Sequence, residues 1–262
     1  MADHHFQRAC VFIDGENFRH SICDLLDGFN RADYLPKSAA WDSLFLHLLS
    51  QCNARTLLRT YWYSVAELDV RPYNLAKMAR NKDFASLKKV LRYNESDAEQ
   101  IATFARQELL EKFLLKRADE LATQERTMRG RFDGWRTVQN GIATSFNSIE
   151  FRRAGSIPYN LFQQQLGSEK GVDVKLATDL ITLKDIYDVA IILSGDGDYV
   201  PAVQAIKDAG KHVVNVSFLR KSGKLLPGGA WRLNLNVDQT IELKYEEVVG
   251  FLLPEGEKEA VS

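Results

Sequence analysis

The chain has 262 residues, 45% of them apolar and 26% charged, with a formal net charge of −1. At roughly 100–200 residues per domain, this is one large α/β domain with an insertion, or a domain plus a smaller helical annex. The composition excludes disorder throughout, and the charge excludes a histone-like polycation or an acidic tail.

No stretch approaches the roughly 18–20 apolar residues of a membrane span, and the opening MADHHFQRACVFIDGEN lacks the basic, apolar, small order of a signal peptide. A cytoplasmic protein without a membrane partner is expected. Cys10, Cys23 and Cys52 form no CxxC pair and no alternating set with histidine, so they are expected to be buried, reduced thiols.

The run Ala9–Ile13 is continuously apolar, stops at Asp14 and is followed by Gly15 and a segment able to start a helix, as a strand buried on both faces reads. Trp41, Leu44, Phe45, Leu48 and Leu49 then fall at helical spacing, and Arg55–Tyr63 reads as a strand. Residues 71–136 break the alternation. They read as consecutive helices, with Leu110, Phe113, Leu114, Ala118 and Leu121 on one face of a long one. This segment holds 15 Lys and Arg against 10 Asp and Glu, a net +5, so the remainder carries −6.

A short strand is expected around Ile149–Ala154 and a helix opening at Gly171, with Val172, Leu176, Leu180 and Leu183 in its period. Val189–Leu193 and Val213–Val216 repeat the buried-strand grammar. From Arg220 the chain shows turn signals, then a short strand at Thr240–Leu243, then a solvated tail, PEGEKEAVS. Strands alternating with helices imply a doubly wound parallel sheet. The expected division is a sheet domain from 1–70 and 137–219, a helical insertion at 71–136, and a C-terminal extension and tail at 220–262.

In such a sheet, residues just past the carboxyl ends of the strands gather along one edge, where ligands bind. Asp14, Asp196 and Asp198 stand at such ends, and Asp173 falls in the first turn of the helix opened by Gly171. Asp179, six residues on, lies about 120° further round the helix and is an accessory candidate. Crowded carboxylates repel one another, and a divalent cation resolves the repulsion. Oxygen ligands without histidine or cysteine select Mg²⁺ or Mn²⁺, whose shell is completed by water and substrate phosphate. Asn17 and Ser194 are placed to orient a carboxylate or a water, although both residue types also serve as caps and turn residues.

Other motifs fail. Gly195-x-Gly197-x-x-Val200 lacks the third glycine of a dinucleotide fingerprint. Asp196-Gly-Asp198-Tyr-Val200 resembles the nucleophile box of haloacid-dehalogenase-like phosphatases, but no convincing acidic pair follows it. The histidines are scattered.

Three segments together carry a family resemblance: Val11-Phe-Ile-Asp-Gly-Glu-Asn17, Lys170-Gly-Val-Asp-Val-Lys-Leu-Ala-Thr-Asp179, and Leu193-Ser-Gly-Asp-Gly-Asp-Tyr-Val-Pro201 followed by Gly210-Lys-His-Val. In these the chain resembles the NYN domain family, the LabA-like branch of the PIN-like nucleases. The resemblance implies a PIN-like α/β/α fold and metal-dependent hydrolysis of RNA phosphodiesters. It makes Asp14, Asp173, Asp196 and Asp198 the metal-binding acids, with Asn17 the accompanying polar residue. The helical segment 71–136 is where this sequence departs from the family's shorter connection.

An acidic site attracts nucleic acid only if basic residues line the approach. Candidate RNA contacts are Lys88, Lys89 and Arg92, with Arg71 and Arg80 beside them, then Arg152, Arg153 and Lys221, with Arg220 and Lys224. Tyr93, Trp135, Tyr159 and Tyr199 are candidates to stack unpaired bases. The reading is an Mg²⁺- or Mn²⁺-dependent endoribonuclease acting on single-stranded RNA. The alternative is a non-catalytic module that keeps the fold to bind RNA, a nucleotide or protein, with the insertion as the arm for a protein partner or a second copy.

Overall fold

The computed structural model describes residues 6–26, 36 and 39–253; the tail 254–262, with His4 and His5, lies outside the described residues. In chain order the strand β1 (Phe6–Asp14) leads into the helix α1 (Gly15–Leu25), then α2 (Trp41–Gln51) and β2 (Ala54–Val70). Four helices follow: α3 (Leu75–Arg80), α4 (Phe84–Leu91), α5 (Glu95–Thr103) and α6 (Gln107–Ser145). After β3 (Ile149–Asn160) and β4 (Gln165–Leu166) come α7 (Val172–Thr182), β5 (Val189–Leu193), α8 (Val200–Asp208) and β6 (His212–Leu219). The chain closes with β7 (Leu225–Leu226), α9 (Ala230–Asn234), β8 (Gln239–Lys244) and α10 (Tyr245–Leu252).

The chain divides into two compact units: a sheet unit of residues 1–66, 135–155 and 170–262, and a helical unit of 67–134 and 156–169. In the sheet unit the strand order is β3-β2-β1-β5-β6, with β7 and β8 both on β6. β1 pairs parallel with β2 and β5, and β6 pairs parallel with β5 and β8; only β7 runs antiparallel to β6. Because β1 has a later strand on each side, the order reverses beside it, and the crevice past its carboxyl end is the place for a ligand.

Alternation along β1 decides what each face holds. Ala9, Val11 and Ile13 join Phe18 and Ile22 of α1, Trp41, Phe45 and Leu48 of α2, Trp62, and Leu252 of α10 in one buried cluster. Cys10 and Phe12 look the other way, where the Phe12 ring meets Tyr61 and Tyr187 at 5.5 Å and where α7 and α8 pack. The result is an α/β/α sandwich around a mostly parallel sheet, which is the fold class expected.

Several boundaries differ from the sequence reading. Residues 220–253 are no appendage. Ile241 and Leu243 alternate inward on β8, and α10 buries Tyr245, Val248 and Leu252 in the sheet-unit core. The two strands expected at Arg55–Tyr63 and Ile149–Ala154 run on to Val70 and Asn160, and α6 runs nine residues past Arg136 to Ser145. Their extensions cross between the units, so periodicity within each stretch did not mark where one core ends.

The helical unit has its own core, in which Leu75, Leu87, Leu91, Ile101, Leu110, Leu114, Ala118 and Leu121 gather around Leu161. Asp83 accepts from the Ser86 N–H to start α4, and Asn94 accepts from the Asp97 N–H to start α5. Leu161 comes from 156–169, a second piece of this unit that the single insertion 71–136 did not foresee.

All three cysteines are buried, and none forms a disulfide among the described residues. Burial pushes the Cys10 thiol up to about 11 and the Cys52 thiol up to about 12, so both lack a thiolate at neutral pH. Ellman's reagent is expected to reach Cys10 and Cys52 only on unfolding; rapid labelling of either in the native protein would contradict this.

Candidate functional site

The carboxyl ends of β1 and β5 lie side by side, Ile13 opposite Leu193, so the residues that follow them meet. Asp14 caps α1, its Oδ1 accepting the Asn17 N–H at 3.1 Å. Its Oδ2 accepts from the Ser194 hydroxyl and from the Tyr199 hydroxyl, both at 3.1 Å. Asn17 Oδ1 in turn accepts the Gly195 N–H at 3.1 Å, which ties α1 to the loop after β5. The Asp196 N–H donates to Ser194 Oγ, and Asp196 Oδ1 accepts the Asp198 N–H at 2.9 Å, so this turn is held by its own side chains. Asn17 and Ser194 therefore orient groups at this edge, and both also satisfy backbone.

Two glycines are needed for close approach. A Cβ on Gly15 would stand 2.1 Å from the Tyr63 carbonyl oxygen, and one on Gly195 would stand 2.0 Å from Pro227 Cγ. The loop after β7 is thus seated on the turn that carries Asp196.

The electrostatics follow from burial. Asp14 is 5% exposed. Burial pushes its carboxyl up to about 6, against the pull of the hydrogen bonds from Asn17, Ser194 and Tyr199, and the charge of Asp196 adds to the rise. The Tyr199 hydroxyl is held well above its ordinary value, first by burial, then by the charge and hydrogen bond of Asp14 and the charges of Asp196 and Asp173. One buried hydroxyl thus feels three of the four predicted acids. Asp173 and Asp196 are half-buried, while Asp198 faces solvent. Among the described residues none of the four is paired with Lys or Arg. Equally, no three acidic, histidine or cysteine side chains among the described residues stand close enough to hold a metal as placed. The donor chemistry is oxygen-only and fits Mg²⁺ or Mn²⁺, but the carboxylates would have to turn toward a shared ion.

Asp179 is not with them. It is 3% exposed and accepts from the Tyr63 hydroxyl at 3.0 Å, Lys175 Nζ at 2.7 Å and Arg152 Nη1 at 2.5 Å. Burial alone would raise its pKa, but the hydrogen bonds from Lys175, Arg152 and Tyr63 outweigh it and hold the carboxyl below the usual value. A carboxylate with these donors around it is a structural ion, not a spare metal ligand.

The candidate RNA contacts divide in the same way. Arg152 is committed to Asp179 and Glu150 and stacks over the Tyr61 ring at 4.0 Å. Arg153 donates to Gln139 and Asn140, and the Lys221 ammonium lies 4.5 Å from the Tyr245 ring centre. Lys88 is half-buried and Lys89 and Arg92 are exposed, and among the described residues these three form no ion pair. Among the aromatics, Tyr199 is buried against Asp14 and offers no free face, while Trp135 is partly buried on the sheet-unit core. Tyr93 is 58% exposed.

Sequence reasoning passed over Trp231 and Arg232. The Arg232 side chain lies against Gly197, its Cδ 3.3 Å from where a Cβ would stand, and Trp231 is 53% exposed. A tryptophan next to an arginine after Pro-Gly-Gly was the available signal, but nothing in its spacing tied it to the turn after β5.

A family model, the NYN domain, matches residues 83–226. The match runs through most of the helical segment that the resemblance set apart, and it begins after β1, so Asp14 and Asn17 precede it. No curated protein matches the chain significantly. Among solved structures the chain is similar to a protein of unknown function from Vibrio parahaemolyticus, at 14% identity and a TM-score of 0.40, over 92% of this chain and 96% of that one. No helix among the described residues is long and apolar enough to cross a membrane. The family match covers more than half of the residues, and with the acidic strand ends and the α/β/α sheet it makes this chain a member of the NYN domain family.

Proposed function

We propose that the chain is a metal-dependent endoribonuclease whose acidic edge hydrolyses RNA phosphodiester bonds. The family is nuclease-like, and the observation that carries the reading is the acidic turn after β5 held against Asp14: the Ser194 and Tyr199 hydroxyls donate to Asp14 and Asn17 holds Gly195 beside Asp196, while among the described residues none of the four acids has a cationic partner. Asp14, Asp173, Asp196 and Asp198 would hold Mg²⁺ or Mn²⁺, which when bound would supply a Lewis acid for the phosphate oxygens and lower the pKa of an attacking water. The chain's own residues do the positioning. Tyr199 and Ser194 fix the Asp14 carboxylate by donating to it, and Asn17 fixes the loop that carries Asp196. Lys88, Lys89 and Arg92 supply positive charge for single-stranded RNA.

The non-catalytic reading has one specific observation in its favour: both Asp14 oxygens are already satisfied within the protein. Incubating the full chain with labelled single-stranded RNA and DNA in Mg²⁺, Mn²⁺ or EDTA separates the two. Internal cleavage of RNA with either metal and none in EDTA is expected. RNA binding without cleavage under any metal would leave the binding module, and undiminished cleavage in EDTA would remove the metal.

A further inference from the structure

We infer that a pocket within the helical unit binds an unpaired nucleotide of a single strand, the base against Tyr73 and Tyr93 and the adjoining phosphate at Arg71. The cavity is about 500 Å³, within the range of roughly 300–1,000 Å³ that small-molecule sites occupy. Its aromatic wall is built rather than incidental. The Tyr73 ring lies 6.2 Å from Tyr93 and meets Phe162 edge-on at 5.4 Å, and Tyr159 lines the same space. Asn160 Oδ1 accepts the Phe162 and Gln163 N–H groups and so holds the opposite loop in place.

The Arg71 guanidinium carbon stands 5.5 Å from the Tyr73 ring centre and 5.4 Å from that of Tyr93, and among the described residues it has no carboxylate partner. A guanidinium at aromatic faces keeps in-plane N–H donors for a phosphate, while a half-open tyrosine offers its face to any base. Asp69 also lines the pocket and disfavours a phosphate there, a charge that Arg71 has to offset. A strand is favoured over a free nucleotide by what surrounds the pocket. Tyr93 lies two residues past α4, whose Lys88 and Lys89, with Arg92, can meet flanking phosphates in a segment of net charge +5.

The inference does not require turnover, and its test is a binding measurement on the full chain in EDTA. Fluorescence anisotropy would compare a labelled oligouridylate with a strand of equal length lacking bases, each against wild type, Tyr93→Ala and Arg71→Gln. Circular dichroism melts would confirm that both variants fold. Tyr93→Ala is expected to weaken the base-bearing strand about tenfold or more and leave the baseless strand unchanged, while Arg71→Gln weakens both. Uridine monophosphate is expected to compete only at far higher concentration. Wild-type affinity of Tyr93→Ala for the base-bearing strand would overturn the assignment, as would tight binding of the monophosphate with none of the strand. Loss of cleavage alone would bear on the acidic edge and not on this pocket.

Discussion

Replacing Asp14 by Asn is expected to abolish RNA cleavage and, in metal-free protein at neutral pH, to make the fold more stable. The two effects have one cause. Asp14 is a buried carboxylate with three hydrogen-bond donors and, among the described residues, no cation, and burial pushes its pKa up to about 6. An ordinary Asp in the unfolded chain loses its proton near 3.9, so between about pH 4 and pH 6 the native state holds a proton that the unfolded state has released. Stability therefore falls as pH rises through that window, by on the order of 3 kcal/mol when the shift is converted at about 1.36 kcal/mol per pKa unit.

Asp179, Asp188 and Asp238 are shifted the opposite way, below the ordinary carboxylate value. Their stabilisation is lost only below about pH 4, outside this window. Urea unfolding of wild type and Asp14→Asn in EDTA at pH 4.5 and 7.5 checks the claim. The variant should gain on wild type at pH 7.5, and the gap should shrink to about a third at pH 4.5. Mg²⁺ should then stabilise wild type more than the variant, because a ligand adds stability only where it binds the folded state. For cleavage, a loss of at least ~10³-fold is expected if the acid holds the ion, equivalent to about 4 kcal/mol of barrier. Cleavage near the wild-type rate, or a stability gap that ignores pH, would remove Asp14 from the role.

The second large effect concerns Arg152. Arg152→Ala is expected to cost about 3 kcal/mol of stability, because it strands Asp179, 3% exposed, with only Lys175 and the Tyr63 hydroxyl as partners. At roughly 2–4 °C per kcal/mol for a chain of this size, the melting temperature should drop by about 6–12 °C. If the cost is the stranded charge, the double variant Arg152→Ala with Asp179→Asn should melt higher than Arg152→Ala alone. A double variant no better than the single would instead point to lost packing of the guanidinium on Tyr61. The same residue discriminates structure from RNA contact. Arg152→Ala should leave the salt dependence of RNA binding unchanged, whereas joint replacement of Lys88, Lys89 and Arg92 should flatten it by about 0.7 per lost phosphate contact.

What the residues alone determined was the frame and the edge. Continuous apolar runs such as Ala9–Ile13 and Val189–Leu193 can be satisfied only by burial on both faces, and each is followed within three residues by a carboxylate, so a parallel sheet with acids along one edge followed from local pattern. The tertiary structure decided which acids have a cationic partner among the described residues and which do not. Asp173 and Asp179 sit on one helix and look alike in the sequence, yet one charge reaches Tyr199 while the other is neutralised by Arg152, a residue on β3 far away in the chain. Lys88 and Arg152 are likewise equal as letters. Helical spacing encodes the Lys175 contact, four residues before Asp179 on α7, but the Arg152 contact is a matter of a few ångströms between different elements, and no periodicity encodes it. The units were hidden for a related reason: β2, β3 and α6 each run unbroken past a unit boundary, so the boundary shows only in which side chains are buried together.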